Sequence, residues 1–181
     1  MGIFNFSQKK KEAPNIKDMV WMNRSAKLGG CLKLIQEQKD VAVVAWFSKT
    51  QEEFHHFLNE QHGLDIEIHL AQTIISTKIS NIKLILLEHF PLRNKEENLI
   101  LNLNPTEVVV LNSLDEPLFE VFGSEEIIRL MKNLGMKEDE MIEHPMISKS
   151  IVRAQQKLEQ KVTYENSANS SKEWFERNGS I

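Results

Sequence analysis

The sequence predicts an α/β protein in which a mainly parallel sheet has flanking helices on both sides. Two mainly apolar segments carry this prediction, 41–47 (VAVVAWF) and 82–87 (IKLILL), because strands buried on both faces of a parallel sheet have this composition. Further strand candidates alternate with helical patterns as far as residue 111, as parallel β-α units do. The length of 181 residues suits one domain of about 100–200 residues with a short appendage.

The first predicted helix follows a short extended segment at 18–22. Apolar residues recur at three- and four-residue spacing over 25–38, which predicts a helix with one buried face. Gly29 and Gly30 interrupt this pattern, so they either weaken the helix or let another element pack closely against it. Cys31 lies on the apolar side, and we interpret it as a small buried hydrophobic residue rather than a nucleophile.

The central part of the chain alternates strands and helices. After the strand at 41–47, Thr50 and Glu53 fit a capping box, and Gly63 marks the end of the helix that they begin. A second helix is predicted over 94–103. The remaining strand candidates in this part of the chain are 65–70, 82–87 and 106–111.

From residue 113 the strands stop, and C-terminal helices and a tail follow. Gly135 is a suitable residue to end one of these helices, and Pro145 occupies the first position of the last one. Residues 163–181 are rich in Ser and Asn and predict a loose tail, although Trp174 and Phe175 could dock. The two helices predicted before Pro145 are 114–122 and 124–134.

Composition and charge exclude several classes of protein. Lys and Arg number 22 and Asp and Glu 26, which gives a formal charge of -4, whereas nucleic-acid binders usually carry a basic domain or stripe. No apolar run reaches the roughly 18 residues of a membrane helix. The single cysteine favours a reducing compartment, here the cytoplasm. We expect the segment 1–15 to be flexible, with at most a peripheral membrane contact through Ile3, Phe4 and Phe6 beside its lysines.

Motifs for common catalytic and cofactor sites are absent from the sequence. It contains no GxxxxGKS/T or GxGxxG loop, no GxSxG elbow and no HExxH pair. His55 and His56 are adjacent, so on a helix their side chains point about 100° apart and are poorly placed to share a metal. Acidic pairs fall near predicted helix starts, where the helix dipole favours them. We therefore predict no catalytic residue, no metal site and no cofactor.

The segment 113–161 carries a family resemblance. Its sequence, SLDEPLFEVFGSEEIIRLMKNLGMKEDEMIEHPMISKSIVRAQQKLEQK, is similar in order and spacing to a run S-L-E-D-x-L-M-x-I-F, Gly-Ser, L-G-M, I-E-H-P and A-Q-x-K-x-E. That run belongs to SecA, the ATPase of the bacterial preprotein translocase, and we interpret the matches as structural positions. The matches include Ser113, Asp115, Phe122, Gly135, Glu143, His144, Pro145 and Gln155.

Three earlier segments resemble, in the same order, the start of the second nucleotide-binding lobe of SecA and the strands and helices that follow it: 17–35, 41–58 and 82–99. Glu88 and Arg93 are matching positions in the last of these segments. The resemblance implies that 16–135 is a RecA-like lobe, which has the P-loop NTPase fold and is similar to a helicase C-terminal domain. It also implies that 136–162 corresponds to the start of the SecA scaffold helix.

The departures from SecA decide the predicted function. SecA has a G-R-x-G-R-Q-G-D run whose arginines contact nucleotide phosphates, but this chain has ILNLNP at 100–105. The A-T-N-M-A-G-R-G-T-D run, the Walker loop and the Walker B acid are also absent from the sequence. The charge that would stabilise a transferring phosphoryl group is therefore missing. The resemblance implies a stand-alone, degenerate pseudo-ATPase and not an enzyme.

Three hypotheses follow for the function. The leading one is a non-catalytic protein-interaction module linked to preprotein translocation, with SecA or another translocase component as its partner. The alternative is a nucleotide-binding lobe that completes an ATPase site in trans, for which Arg93 is the candidate nucleotide-binding residue. The third is a homodimer, because a lobe without its usual neighbour leaves apolar surface uncovered.

Overall fold

The computed structural model describes residues 16–38, 40–75, 81–121 and 123–179. The described strands are β1 (Ile16–Trp21), β2 (Val41–Ala45), β3 (Ile68–Leu70), β4 (Lys83–Leu86) and β5 (Glu107–Ser113). They form one sheet in the order β1–β5–β4–β2–β3, and every neighbouring pair in it is parallel. The predicted α/β fold with a parallel sheet and flanking helices is confirmed.

Helices connect the strands and continue after the last strand. They are α1 (Arg24–Glu37), α2 (Ser48–His55), α3 (Arg93–Leu103), α4 (Pro117–Glu120), α5 (Ser124–Asn133), α6 (Pro145–Lys161) and α7 (Ser171–Asn178). Residues His56–Gln61 extend α2 as a π-helical segment. Within the described ranges, no helix has the length and apolar character needed to cross a bilayer.

Alternate residues of each strand face opposite sides of the sheet, which explains the mainly apolar runs. In β5, Val108 and Val110 pack into a cluster with residues of α3, α4, α6 and α7. Val109 and Leu111 pack into a second cluster with residues of α1 and α2. Cys31 lies in the second cluster, and burial raises the pKa of its thiol to about 12. The interpretation of Cys31 as a buried hydrophobic residue is confirmed.

Two predicted boundaries are wrong for identifiable reasons. Thr50 does not cap α2, because the helix begins at Ser48 and the Thr50 hydroxyl donates to a buried carboxylate of Glu88. The strand predicted over 65–70 is shortened to β3. The Asn59 side chain forms hydrogen bonds with both backbone groups of Ile66, so these groups do not pair with a neighbouring strand. Its Nδ2 donates to the carbonyl at 2.9 Å and its Oδ1 accepts from the N–H at 3.3 Å.

The C-terminal segment predicted to be loose contains α7. The Ser170 hydroxyl caps this helix by accepting from the Glu173 N–H at 3.1 Å. Trp174 is only 1% exposed and packs edge-on against Phe90, with ring centroids 6.1 Å apart. The ordering of 171–178 therefore comes from one large apolar side chain that reaches the core of the lobe.

The glycine pair in α1 has a packing role at one position. A Cβ atom on Gly30 would lie 2.1 Å from the Trp21 ring, whereas a Cβ on Gly29 would have nothing within 4 Å. We expect Gly30→Ala to lower the free energy of unfolding by about 1–3 kcal/mol through overpacking. Gly29→Ala should raise it by about 0.5–1 kcal/mol, because alanine favours the helix. Urea unfolding of both variants checks this, and changes of the same sign would contradict it.

Candidate functional site

A cavity of about 710 Å³ opens at the carboxyl ends of β1, β2, β4 and β5. Ligands of α/β proteins bind in this position, outside the carboxyl ends of the strands, and the volume lies in the usual range of about 300–1,000 Å³. We call this cavity the carboxyl-end crevice. Its lining includes Arg24, Glu53, Glu88, Asn112, Asp115 and the side of α7 that carries Phe175 and Glu176.

Glu88 follows β4 and is almost fully buried at the base of the crevice. Its Oε1 accepts from the Trp46 N–H at 2.9 Å and the Phe47 N–H at 3.3 Å, and its Oε2 accepts from the Thr50 hydroxyl. These donors surround the start of α2, where a helix N-terminus favours an anion such as phosphate. Burial raises the pKa of Glu88, against the opposing pull of Lys27. An internal carboxylate therefore occupies the anion position of the crevice.

Two cations near the crevice, Arg24 and Lys27, are paired internally. Arg24 holds Glu53 through Nη2 at 2.6 Å and Glu116 through Nη1 at 2.7 Å. Lys27, beneath it, is fully buried and also pairs with Glu116. Burial lowers the pKa of Lys27, and the charge of Glu116 opposes this shift. Two carboxylates thus already neutralise the guanidinium that lines the crevice.

Arg93, the nucleotide-binding candidate from the sequence, lies at the start of α3 and is not part of the crevice lining. Its Nε donates to Glu97 at 2.7 Å and its Nη1 donates to Gln155 of α6 at 3.4 Å. The arginine that does line the crevice is Arg24, at the start of α1. Its position immediately after β1 is the signal that marks it, since residues following parallel strands meet at one edge of the sheet.

The resemblance residues after β5 connect elements. Ser113 is buried at the end of β5, and its N–H donates to Glu116 at 3.2 Å. Asp115 accepts from the Arg24 N–H at 3.0 Å, which joins the end of β5 to the start of α1. Phe122 lies outside the described residues.

The remaining resemblance residues form a turn, a cap and a tie between helices. Gly135 follows α5 with φ of +80°, a conformation that favours glycine. His144 Nδ1 accepts from the Met146 N–H at 3.2 Å at the start of α6, and Pro145 is the first residue of that helix. Glu143 pairs with Lys17 of β1 at 3.7 Å.

A buried ionic cluster lies beside the crevice and was not apparent from the sequence. His89 Nε2 contacts Asp18 at 2.8 Å, and its Nδ1 contacts Glu96 at 2.8 Å. Burial alone would lower the pKa of His89, but Glu96 and then Asp18 outweigh this and raise it to about 10. Gln155 of α6 donates to the adjacent carbonyl of Phe90 at 2.8 Å. His89 is therefore a cation at neutral pH, which suits it to hold elements together and not to act as a base.

The adjacent histidines His55 and His56 both lie near the carboxylate of Glu60. His56 Nδ1 lies 2.7 Å from Glu60, and His55 Nδ1 lies 3.7 Å from the same side chain. Nevertheless, in the part of the chain that the structure describes, no group of three or more His, Cys, Asp or Glu side chains is arranged to hold a metal ion.

Comparison with known proteins finds similarity in one part of the chain. A stretch of 47 residues, 26% of this chain, is 57% identical to the protein translocase subunit SecA of Acidithiobacillus ferrooxidans. A stretch of 57 residues, 32% of this chain, is 47% identical to that of Prosthecochloris aestuarii and 49% identical to that of Chlorobium phaeobacteroides.

The matches cover little of the relatives themselves. The chain spans 5% of the length of the first of these relatives and 6% of the other two. No family model matches the chain. A region amounting to about a quarter to a third of this chain is therefore related to SecA.

Proposed function

We propose that this chain is a non-catalytic, SecA-like protein-binding module of the cytoplasm that acts with a component of the protein translocase. In this proposal the chain contains a degenerate version of the second RecA-like lobe, and its ATPase chemistry has been lost. The observation that carries the proposal is the exposed apolar side of α5, where Leu130 is 60% exposed and Leu134 is 77% exposed.

Glu88 opposes the binding of a phosphate at the start of α2. A phosphate placed at the start of α2 would meet a carboxylate that already accepts from the Trp46 and Phe47 N–H groups and the Thr50 hydroxyl. Two anions a few ångströms apart in a poorly solvated site repel each other strongly. Arg24 adds little compensation, because Glu53 and Glu116 already hold it.

Exposed apolar side chains on α5 support a role in protein binding. Leu130 is 60% exposed and Leu134, at the end of the helix, is 77% exposed. Residues four positions apart lie on the same side of a helix, so these two exposed side chains share one side of α5 and its end, and we call them the α5 leucine pair. Exposed apolar surface of this kind is typical of interaction sites.

The alternative, a lobe that completes an ATPase site in trans, is favoured by one observation. Arg24 reaches the crevice, which is where a residue contacting phosphates from a second lobe would have to lie. For this role Arg24 would first have to leave Glu53 and Glu116.

Binding to SecA and binding to ATP test the two functions together. The full chain is immobilised and titrated with purified SecA of the same organism, and a fluorescent ATP analogue is titrated separately. We expect saturable SecA binding and no saturable nucleotide binding up to ~1 mM. The double variant Leu130→Ser/Leu134→Ser should bind SecA roughly tenfold or more weakly. Tyr164→Ser, which changes a side chain that is 79% exposed, is the matched control and should bind like the natural chain.

Two results would count against the proposal. Micromolar ATP binding, or ATP hydrolysis when the chain is mixed with SecA, would favour completion of an ATPase site. Absence of binding to SecA and to the purified translocase channel would remove the translocase partner.

A further inference from the structure

The floor of the carboxyl-end crevice contains an unused hydrogen-bond acceptor. Asn112, near the end of β5, lines the crevice and is fully buried. Its Nδ2 donates to the Val110 carbonyl at 3.2 Å, but its Oδ1 accepts from no group in the described parts of the chain. Buried polar atoms almost always have partners. An orphan acceptor that lines a cavity therefore points to a donor that comes from outside the chain.

The charges at the mouth of the crevice favour a cation. Three carboxylates line the crevice without forming an ion pair to the described residues: Asp115, Glu120 and Glu176. Two cations that line it, Lys49 and Lys172, also form no ion pair with the described residues. The other lining charges are neutralised within the chain: Arg24 by Glu53 and Glu116, and His89 by Asp18 and Glu96. The unpaired charges thus leave an excess of carboxylate.

The crevice also offers a flat aromatic surface. Phe175 of α7 contributes to its wall and is only half-buried. A planar guanidinium stacks on aromatic faces and carries five N–H donors, so it can pair with carboxylates and reach a neutral oxygen at the same time. An ammonium group shares the charge but lacks the planar shape and has only three donors.

We propose that the carboxyl-end crevice binds a cationic side chain of a partner protein, preferably arginine. Its guanidinium pairs with Asp115 and Glu120 at the mouth, and it donates to Asn112 Oδ1 when the side chains that cover this oxygen in the unbound chain move apart. The inference deepens the proposed function, because it rests on the existence of a protein partner and names the chemistry by which that partner is recognised.

Peptide binding to the full chain tests this site. The probe is a capped, fluorescein-labelled Gly-Ser peptide with two arginines, compared with otherwise identical lysine and glutamine peptides by fluorescence anisotropy at low salt. We expect the arginine peptide to bind with a Kd below ~1 mM, the lysine peptide to bind several-fold more weakly, and the glutamine peptide not to bind.

Variants of the chain locate the binding. Glu120→Gln changes an exposed side chain and should weaken arginine-peptide binding roughly threefold to tenfold. Asn112→Ala removes the orphan acceptor and should weaken it similarly, with circular dichroism to check the fold. The matched control is Glu126→Gln on α5, since Glu126 is also exposed but does not line the crevice. Its binding should equal that of the natural chain.

The outcomes separate this inference from the proposed function. Equal binding of the arginine and glutamine peptides, no binding at ~1 mM, or equal losses in Glu120→Gln and Glu126→Gln would each overturn the crevice site. If any of these results is obtained and Glu120→Gln still binds SecA like the natural chain, the crevice site is wrong but the proposed function is retained. Arginine-peptide binding at the crevice without binding to the translocase would instead remove the proposed function and keep the site.

Discussion

Replacing Glu96 by glutamine should lower the free energy of unfolding by about 3–5 kcal/mol at pH 7. Glu96 is fully buried, contacts His89 Nδ1 at 2.8 Å and accepts from the Phe90 N–H at 3.0 Å. Glutamine has nearly the same shape but no charge, so the imidazolium loses one of its two carboxylates inside the protein. Its amide NH₂ also brings donors where His89 and Phe90 need acceptors. Denaturant unfolding at pH 7 measures the change.

An exposed pair of the same chemistry provides the control. His56 lies 2.7 Å from Glu60, but both side chains are more than half exposed. Exposed pairs contribute only about 0–1 kcal/mol, since water screens them. Glu60→Gln should therefore change stability by less than about 1 kcal/mol. Similar small losses in both variants would show that the buried cluster does not carry the stability assigned to it.

The same cluster gives stability a defined pH dependence. The pKa of His89 is raised from 6.5 to about 10 in the folded chain, so the folded state binds the proton more tightly than the unfolded state. Its contribution is complete below pH 6.5 and is lost as the pH rises towards 10. The pKa of Asp18 is lowered from 3.8, because His89 outweighs the effect of burial, so its contribution is lost as the pH falls below 3.8.

Unfolding of the natural chain and of Glu96→Gln across pH 6–11 checks this sign. The stability difference between the two should be largest near neutral pH and should shrink as His89 loses its proton, because a neutral imidazole gains less from the carboxylate. A difference that stays constant across this range would contradict a charged His89. Titrating lysines affect both chains alike, so they cancel in the comparison.

Local patterns predicted the sheet well because burial on both faces leaves a mainly apolar run. Both β2 and β4 lie within the segments chosen for them, and both are flanked by two other strands. The failure of the capping prediction has a long-range cause. Thr50 fits the capping pattern with Glu53, but a hydroxyl that bonds to Glu88 can no longer cap its own helix.

The candidate site depended even more on long-range contacts. The crevice brings together side chains that follow four different strands. Its anion position is filled by Glu88, which in the sequence is only one of the positions that match SecA. His89 contacts Asp18, which lies on β1 and 71 residues earlier in the chain. A single sequence shows each of these residues but not which of them face each other.

Replacing Trp174 by alanine should release α7 from the lobe. The indole is 1% exposed, packs edge-on against Phe90 at 6.1 Å and donates through Nε1 to Glu165 at 3.0 Å. Loss of a buried tryptophan costs about 3–5 kcal/mol, and α7 has only eight residues with which to offset it. We therefore expect the free energy of opening of this segment to fall by about that amount.

Hydrogen exchange over 165–178 measures the release, and near-UV circular dichroism from the buried Trp21 and Trp46 shows whether the rest of the core stays packed. Tyr164→Ala is the control, since this aromatic residue is 79% exposed and should change exchange little. Unchanged protection of α7 in Trp174→Ala would show that the indole does not anchor it. Because Phe175 and Glu176 line the crevice, release of α7 should also weaken arginine-peptide binding, which couples the order of this short helix to recognition.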